Sequence, residues 1–475
     1  MTAVVVATAH ACVRGSRRIP RSQTRWKRRI LSCRAGKSDE FSAAVGVSEK
    51  IELRLVARVQ NAHGGAVLAL ASVGNPDPND SVFPNFVTSS IDGTVATWHV
   101  EEEVGDESKS SKHAFVRDAQ FGDDDAPWWC LEVDDDWLYY GTHTRKVRAR
   151  IAVDADLEKL PGSIKNHTGW VRAMARVGKT ANEILVNDTS VGDAWRFSAA
   201  CGVVRVWQDS FEFDEDAEGE VDDEEDDDTD SALVDVASVK IFTGDILCLA
   251  GFEVKDDSFD EPPKRYLFAG VTDGTVRGWH VEENVAGKEH TAPVMRAISQ
   301  AASGREESYS VDLSGGRVTA LHYAGDVTHD SLRDSHNNAV KHKVVVGCRD
   351  GTVGLVDARD LSVSGRVLAH AGNGTDAAGV AALCAGPNGA ICSVGDDGQV
   401  KLWRTEQGEH ESDDLRLVRC GGVSQSEETV SGRSACAVSR NGDVVGVLVG
   451  DESGGVSLYC AVMKHLTVGF LWWAE

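Results

Sequence analysis

An all-β chain made of one hairpin written repeatedly is what three observations predict. Residues 87–100 read VTSSIDGTVATWHV, two β-prone runs joined by Asp92-Gly93. Both turn residues accept φ > 0, so this is a strong hairpin signal. The same turn with an aromatic six residues later returns at Asp273-Gly274 with Trp279 and at Asp397-Gly398 with Trp403. Weaker copies place turns at Thr144, Cys201, Asp350 and Ser453, with Trp207 and Tyr459 keeping an aromatic and Val356 and Arg150 replacing it. The turns at 92, 144, 201, 273, 350, 397 and 453 step by 52, 57, 72, 77, 47 and 56 residues. Self-similarity at about 40–45 residues plus insertions is the mark of blades in a β-propeller. The expectation is seven four-stranded antiparallel blades, which stack because none buries both faces alone.

Composition agrees with one large all-β unit. The 475 residues include 47 glycines and 41% hydrophobic residues, as many short strands joined by turns require. No apolar run approaches the length of about 18 residues that spans a bilayer. Eleven cysteines stand singly without a C-x-x-C pair, a pattern of buried free thiols in a reducing compartment. The net charge of −26 argues against general nucleic-acid binding, which needs a basic face.

The repeat resembles the WD-repeat (tryptophan–aspartate repeat) β-propeller family over residues 51–462. In that family a His before the blade, a Ser or Thr on its second strand, the turn Asp and the Trp form a buried hydrogen-bonded tetrad. The resemblance implies two complete structural tetrads, His63, Thr88, Asp92 and Trp98, and His370, Ser393, Asp397 and Trp403. It implies partial tetrads with His167 and Trp207 in the third blade, and Asp273 and Trp279 in the fourth. There Gly244-Asp245 stands in place of Gly-His. Each buried polar group needs a partner or costs a few kcal/mol.

Residues 1–40 hold ten Arg or Lys and no acid before Asp39. This disordered basic leader has the composition of an organelle transit peptide, and Ile30-Leu31-Ser32-Cys33-Arg34-Ala35 resembles a chloroplast processing site. Cleavage after Ala35 removes nine positive charges, taking the net from −26 to −35. A disordered tail or a nuclear signal at Arg25-Trp26-Lys27-Arg28-Arg29 are the alternatives. The propeller is expected over 50–463. Residues 51–59 (IELRLVARV) alternate apolar with polar and are expected to close the ring as the outer strand of the last blade, in competition with 465–473. Residues 464–475 are an apolar C-terminal tail.

In the second blade, Trp128 and Trp129 are adjacent on a strand, so one should be core and the other nearer a rim. Packing between blades is the main reading, with an aromatic partner anchor as the other. The loop 209–231 carries fourteen acids among residues 211–230 and no base. It should be disordered, either a tolerated insertion or a lure for a basic partner. Residues 282–316 are an insertion with a helix-compatible piece at 293–302. His329, His336 and His342 lie among acids but match no zinc spacing, so a polar loop is expected. Asp357 and Arg359 resemble the end of the box by which some family members dock on cullin-type ubiquitin ligases, with Val356 replacing Trp.

Catalytic patterns are missing from the sequence. Gly178-Lys179-Thr180 lacks the first Gly of a phosphate loop and the helix that such a loop opens. No G-x-S-x-G occurs. No cofactor or metal is called for. The expected function is a non-catalytic protein-interaction scaffold in a chloroplast. The alternatives are a nuclear or cytosolic adaptor, for ribosome assembly or a ubiquitin ligase, and a rim-sited enzyme or small-ligand binder.

Overall fold

The repeated hairpin writes a series of four-stranded antiparallel units. A computed structural model describes residues 51–73, 83–103, 112–123, 125–134, 137–151, 157–160, 162–165, 167–177, 195–209, 233–240, 244–254, 263–282, 293–298, 311–313, 316–327, 342–371, 378–406, 416–423, 431–440 and 443–462. The leader, most of the acidic segment, Gly178-Lys179-Thr180, His329, His336 and the tail lie outside them. Units are named below by their turn residue.

The Asp92 unit is Val67–Val73, Asn85–Ser90, Thr94–Glu103 and Lys112–Gly122, each strand paired to the next. The Cys201 and Asp350 units have the same four-strand order. The Thr144 unit has three strands, Trp128–Asp134, Trp137–Thr142 and Val147–Ile151. Its outer edge is met by bridges from Ile164 and Lys159. In the Asp273 unit, Thr275–Glu282 pairs with two short strands in turn, Val294–Ala297 and Val311–Asp312. Residues 294–297 are thus strand rather than helix. Pairing to an existing edge overrides the weak helical pattern there.

The Asp397 and Ser453 units merge into one eight-stranded sheet through Ile51–Val59. That strand runs antiparallel to Val456–Val462, with Leu53 opposite Ala461 and Val59 opposite Val456. It runs parallel to Arg416–Val423 over a short stretch, with Ile51 opposite Gly421. The approach is close: a Cβ on Gly421 would stand 1.9 Å from the Ile51 carbonyl oxygen.

At every expected turn the backbone takes a left-handed residue: Gly93, Arg145, Gly202, Gly274, Gly351, Gly398 and Gly454. Arg145 does so without being glycine, at φ 68°, a conformation that costs about 1 kcal/mol for an L side chain. Its turn is compensated locally. The Thr144 hydroxyl donates to Asp125 at 2.8 Å, and the Thr142 hydroxyl bonds the Lys146 backbone.

Four pairs of neighbouring units join by one device. A second-strand glycine leaves a hole that the next unit's first Val fills. A Cβ on Gly141, Gly270 or Gly347 would meet Val171, Val318 or Val380 within 2.4–2.6 Å. Gly450 stands in the same relation to Val67, at 2.6 Å, so the Ser453 unit packs on the Asp92 unit in the same way. Between the Asp397 and Ser453 units knob and hole are exchanged, with Val394 against Gly432. Small polar side chains add ties across these seams. Ser434 donates to the Val67 carbonyl at 3.1 Å and Thr319 to the Val380 carbonyl at 2.6 Å. One interior cluster accordingly mixes Val67, Leu70 and Trp98 with Cys436, Val438 and Leu448.

Candidate functional site

The residues that look most like chemistry are the tetrads. In the Asp397 unit, the Trp403 indole N–H donates to Ser393 Oγ at 2.8 Å, and Ser393 Oγ lies 2.8 Å from His370 Nε2. His370 Nδ1 in turn lies 2.8 Å from Asp397 Oδ1. Donors and acceptors alternate without conflict if His370 carries its proton on Nδ1. Ser, His and Asp are therefore connected as in a hydrolytic triad. Ser393 and His370 are fully buried, however, and the hydroxyl already accepts the indole N–H. No substrate reaches this serine. The group joins a second strand, a third strand, a turn and the loop before the unit, which is a structural task.

The Asp92 unit solves the same problem with one more link. Trp98 Nε1 donates to Thr88 Oγ1 at 2.8 Å, and Thr88 Oγ1 lies 2.7 Å from His63 Nε2. His63 Nδ1 meets Thr94 Oγ1 at 2.6 Å rather than Asp92. Asp92 stands behind, taking the Thr94 hydroxyl at 2.6 Å and the Thr94 amide at 2.8 Å. Its other oxygen accepts the Gly64 amide. The Asp397 unit has Gln399 where the relay threonine stands, and there the aspartate contacts histidine directly.

The Cys201 unit supplies more than His167 and Trp207. His167 Nε2 lies 2.9 Å from Ser198 Oγ, which accepts from Trp207 Nε1 at 3.2 Å. Ser198 precedes its tryptophan by nine residues, whereas Thr88 and Ser393 precede theirs by ten. The tight Cys201-Gly202 turn, with both residues left-handed, removes one residue and hides the match. With no aspartate at this turn, His167 Nδ1 is buried without a hydrogen-bond partner. In the Asp273 unit Asp273 holds Thr275 at 2.9 and 2.6 Å, while Ala269 occupies the second-strand position of Thr88.

Burial governs the charge of these histidines. Desolvation pulls His63 down to about 4, with Arg117 adding to it and Asp92 opposing. Desolvation takes His167 to about 4 as well, helped by Arg205. His370 is also lowered by burial, which its bond to Asp397 partly offsets. For Asp397, burial pushes the pKa up, but the His370 bond and charge together with the Gln399 amide and Lys401 leave it lowered.

The two adjacent tryptophans are both buried, because a β-bulge intervenes. Trp128 pairs with Thr142 and Cys130 with Gly141, so Trp129 is the extra residue. Bulges re-aim side chains. Trp128 points inward and stacks on Tyr140 at 4.0 Å, with Arg150 beside both rings. Trp129 turns outward and stacks on exposed Trp170 at 5.0 Å and 13°.

Asp357 does not present itself to a partner. It is 2% exposed and accepts from Lys343 at 3.0 Å and from Arg359 at 3.0 and 2.7 Å. Burial raises its pKa, and the Arg359 and Lys343 bonds overcome this and hold the carboxyl well below the usual range. Arg359 keeps 59% of its side chain exposed. His342 is buried against Tyr266 rather than lying in a polar loop, with the phenol oxygen 3.4 Å from Nδ1. Its neighbour Lys343 opens a strand whose next three valines are all fully buried, and that strand draws it inside. Among the described residues no His, Cys, Asp or Glu group could hold a metal, and no helix is long and apolar enough to cross a membrane.

The fold is that of WD40-repeat propellers. Two solved structures show it: the WD40 repeats of RRP9, with TM-score 0.52 and 14% identity, and U3-55K, with TM-score 0.50 and 13% identity. Each comparison covers 86% of this chain and 98% of the other. No protein-family profile matches the sequence, and no curated protein does.

Proposed function

We propose that the chain is a closed ring of seven blades acting as a non-catalytic protein-interaction scaffold. Closure is supported by the seam between the last and first units, where Gly450 receives Val67 as Gly141, Gly270 and Gly347 receive their valines. Seven left-handed turns support the count. The observation carrying the functional reading is that the hydrogen-bonded Ser393–His370–Asp397 set is sealed inside a blade. The residues with chemical potential are committed to holding blades, which leaves the rims and loops for function. A rigid ring offers surfaces large enough for interfaces of standard size.

Proximity labelling from the full chain, followed by purification of the neighbours as a defined complex, tests this. Reproducible protein partners are expected. Recovery of no partner above a control ring would sink the scaffold reading. An organelle is the proposed location because of the acid-free leader, and a basic protein is the proposed partner of segment 209–231. A fluorescent protein fused to residues 1–45 that stays in the cytosol or enters the nucleus would favour an adaptor there instead.

A further inference from the structure

The exposed surface of the Thr144 and Cys201 units carries an aromatic shelf flanked by unneutralised cations. Residues 169–172 cross between the two turns. The Val171 amide donates to the Thr142 carbonyl at 3.1 Å and the Arg172 amide to the Ala199 carbonyl at 3.1 Å. Gly169 lets the crossing lie flat, since a Cβ there would strike Cys201 Sγ at 2.1 Å. Trp170 emerges from it with 38% of its surface exposed, and Trp129 backs it in a parallel stack. The Arg172 guanidinium lies 5.4 Å from the Trp170 ring and 5.8 Å from the Trp129 ring.

Arg145 stands exposed in the adjoining turn, and both it and Arg172 act electrostatically on the Cys201 thiol between them. Among the described residues neither guanidinium has a carboxylate partner within ion-pair distance. The acid at this place is Asp245, which engages the Cys201 thiol. Some exposed arginines are neutralised by acids, as Arg366 is by Asp350 and Arg359 by Asp357.

We propose that this shelf docks an acidic peptide segment of a partner protein, with an aromatic or aliphatic side chain laid on Trp170 and carboxylates on Arg145 and Arg172. The proposal rests on the scaffold reading and names one of its surfaces. Trp and Arg are the side chains that most often dominate binding energy, and a stacked, preformed Trp loses little freedom on contact. Net negative charge repels an acidic segment from the rest of the surface, so the shelf also orients it. At about 0.15 M salt that repulsion is screened beyond roughly 8 Å while close pairs persist.

The test uses the full chain and a fluorescein-labelled peptide of Asp, Glu and Phe, against a Lys-Phe peptide of equal length. Binding of the acidic peptide should protect Cys201 from N-ethylmaleimide, read by mass mapping. Trp170→Ala and Arg172→Glu should each weaken it about tenfold or more, with thermal melting unchanged, and Arg145→Glu should do so if Trp170→Ala perturbs the fold. Equal binding by these variants, no binding by the wild type, or preference for the Lys-Phe peptide would overturn the shelf. Protection of Cys201 by segment 209–231 of the same chain, relieved when that segment is replaced by Gly-Ser, would overturn the partner assignment. Proximity-labelling neighbours shared by wild type and Arg172→Glu would leave the scaffold standing without the shelf, whereas none with either protein would remove both.

Discussion

The Asp397 and Cys201 units hold the same three partners differently. Both place an indole N–H on a serine hydroxyl and that hydroxyl on a histidine Nε2. In the first, the histidine's other nitrogen meets an aspartate at 2.8 Å; in the second it is buried with nothing. The Asp92 unit falls between, reaching its aspartate through Thr94. The comparison teaches that the Trp–Ser–His chain is the constant part. The aspartate is an addition that secures the turn to the histidine where sequence permits.

The largest test removes the constant part. Trp207→Ala and Trp403→Ala should each lower stability by about 3–5 kcal/mol in denaturant unfolding, since both rings are buried. A much smaller loss in Trp207 alone would mean that the incomplete unit is not held by its chain.

Next comes pH. His63 and His167 are neutral in the fold and sit near 4, below the ordinary 6.5. Between those values the unfolded chain binds more protons than the folded one, so stability is full above pH 6.5 and falls as pH drops towards 4. Roughly 1–3 kcal/mol per histidine should be lost. His167→Asn should flatten the slope measured by urea unfolding at stepped pH.

A smaller contrast separates the two aspartates. Asp397→Ala should cost about 1–3 kcal/mol, because it strips a buried imidazole N–H of its acceptor. Asp92→Ala should cost less, about 1 kcal/mol, because Thr94 still accepts from His63. Equal losses would show that the threonine link carries nothing.

Much of this was legible in the sequence, because turns write themselves in residue identity. Asp-Gly at 92, 273, 350 and 397 marks left-handed backbone directly, and the weaker turns at 144, 201 and 453 fall 52 to 57 residues after the turn before them. What escaped did so for physical reasons. Ser198 is displaced by a turn one residue shorter. The Thr94 relay depends on a side chain's reach, not on spacing. Alternation alone does not show that both tryptophans are buried, because a bulge shifts the register between Trp128 and Cys130. The glycines at 141, 270, 347 and 450 do carry a signal, each four residues before a left-handed turn residue. Their purpose is visible only when the neighbouring valine is in view.

The strand Ile51–Val59 has a consequence for the order of events in the cell. It is the first described strand to leave the ribosome, yet its antiparallel mate is Val456–Val462, the last. Ser434 likewise reaches back 367 residues to the Val67 carbonyl. For nearly the whole of synthesis, at about 5–20 residues per second, this strand waits with both edges unsatisfied, since its parallel neighbour Arg416–Val423 is also made late. Such distant pairing makes folding slow and leaves a β-edge open to wrong neighbours. Ribosome-bound chains that end before residue 456 should therefore expose that edge, and release of the full chain should hide it.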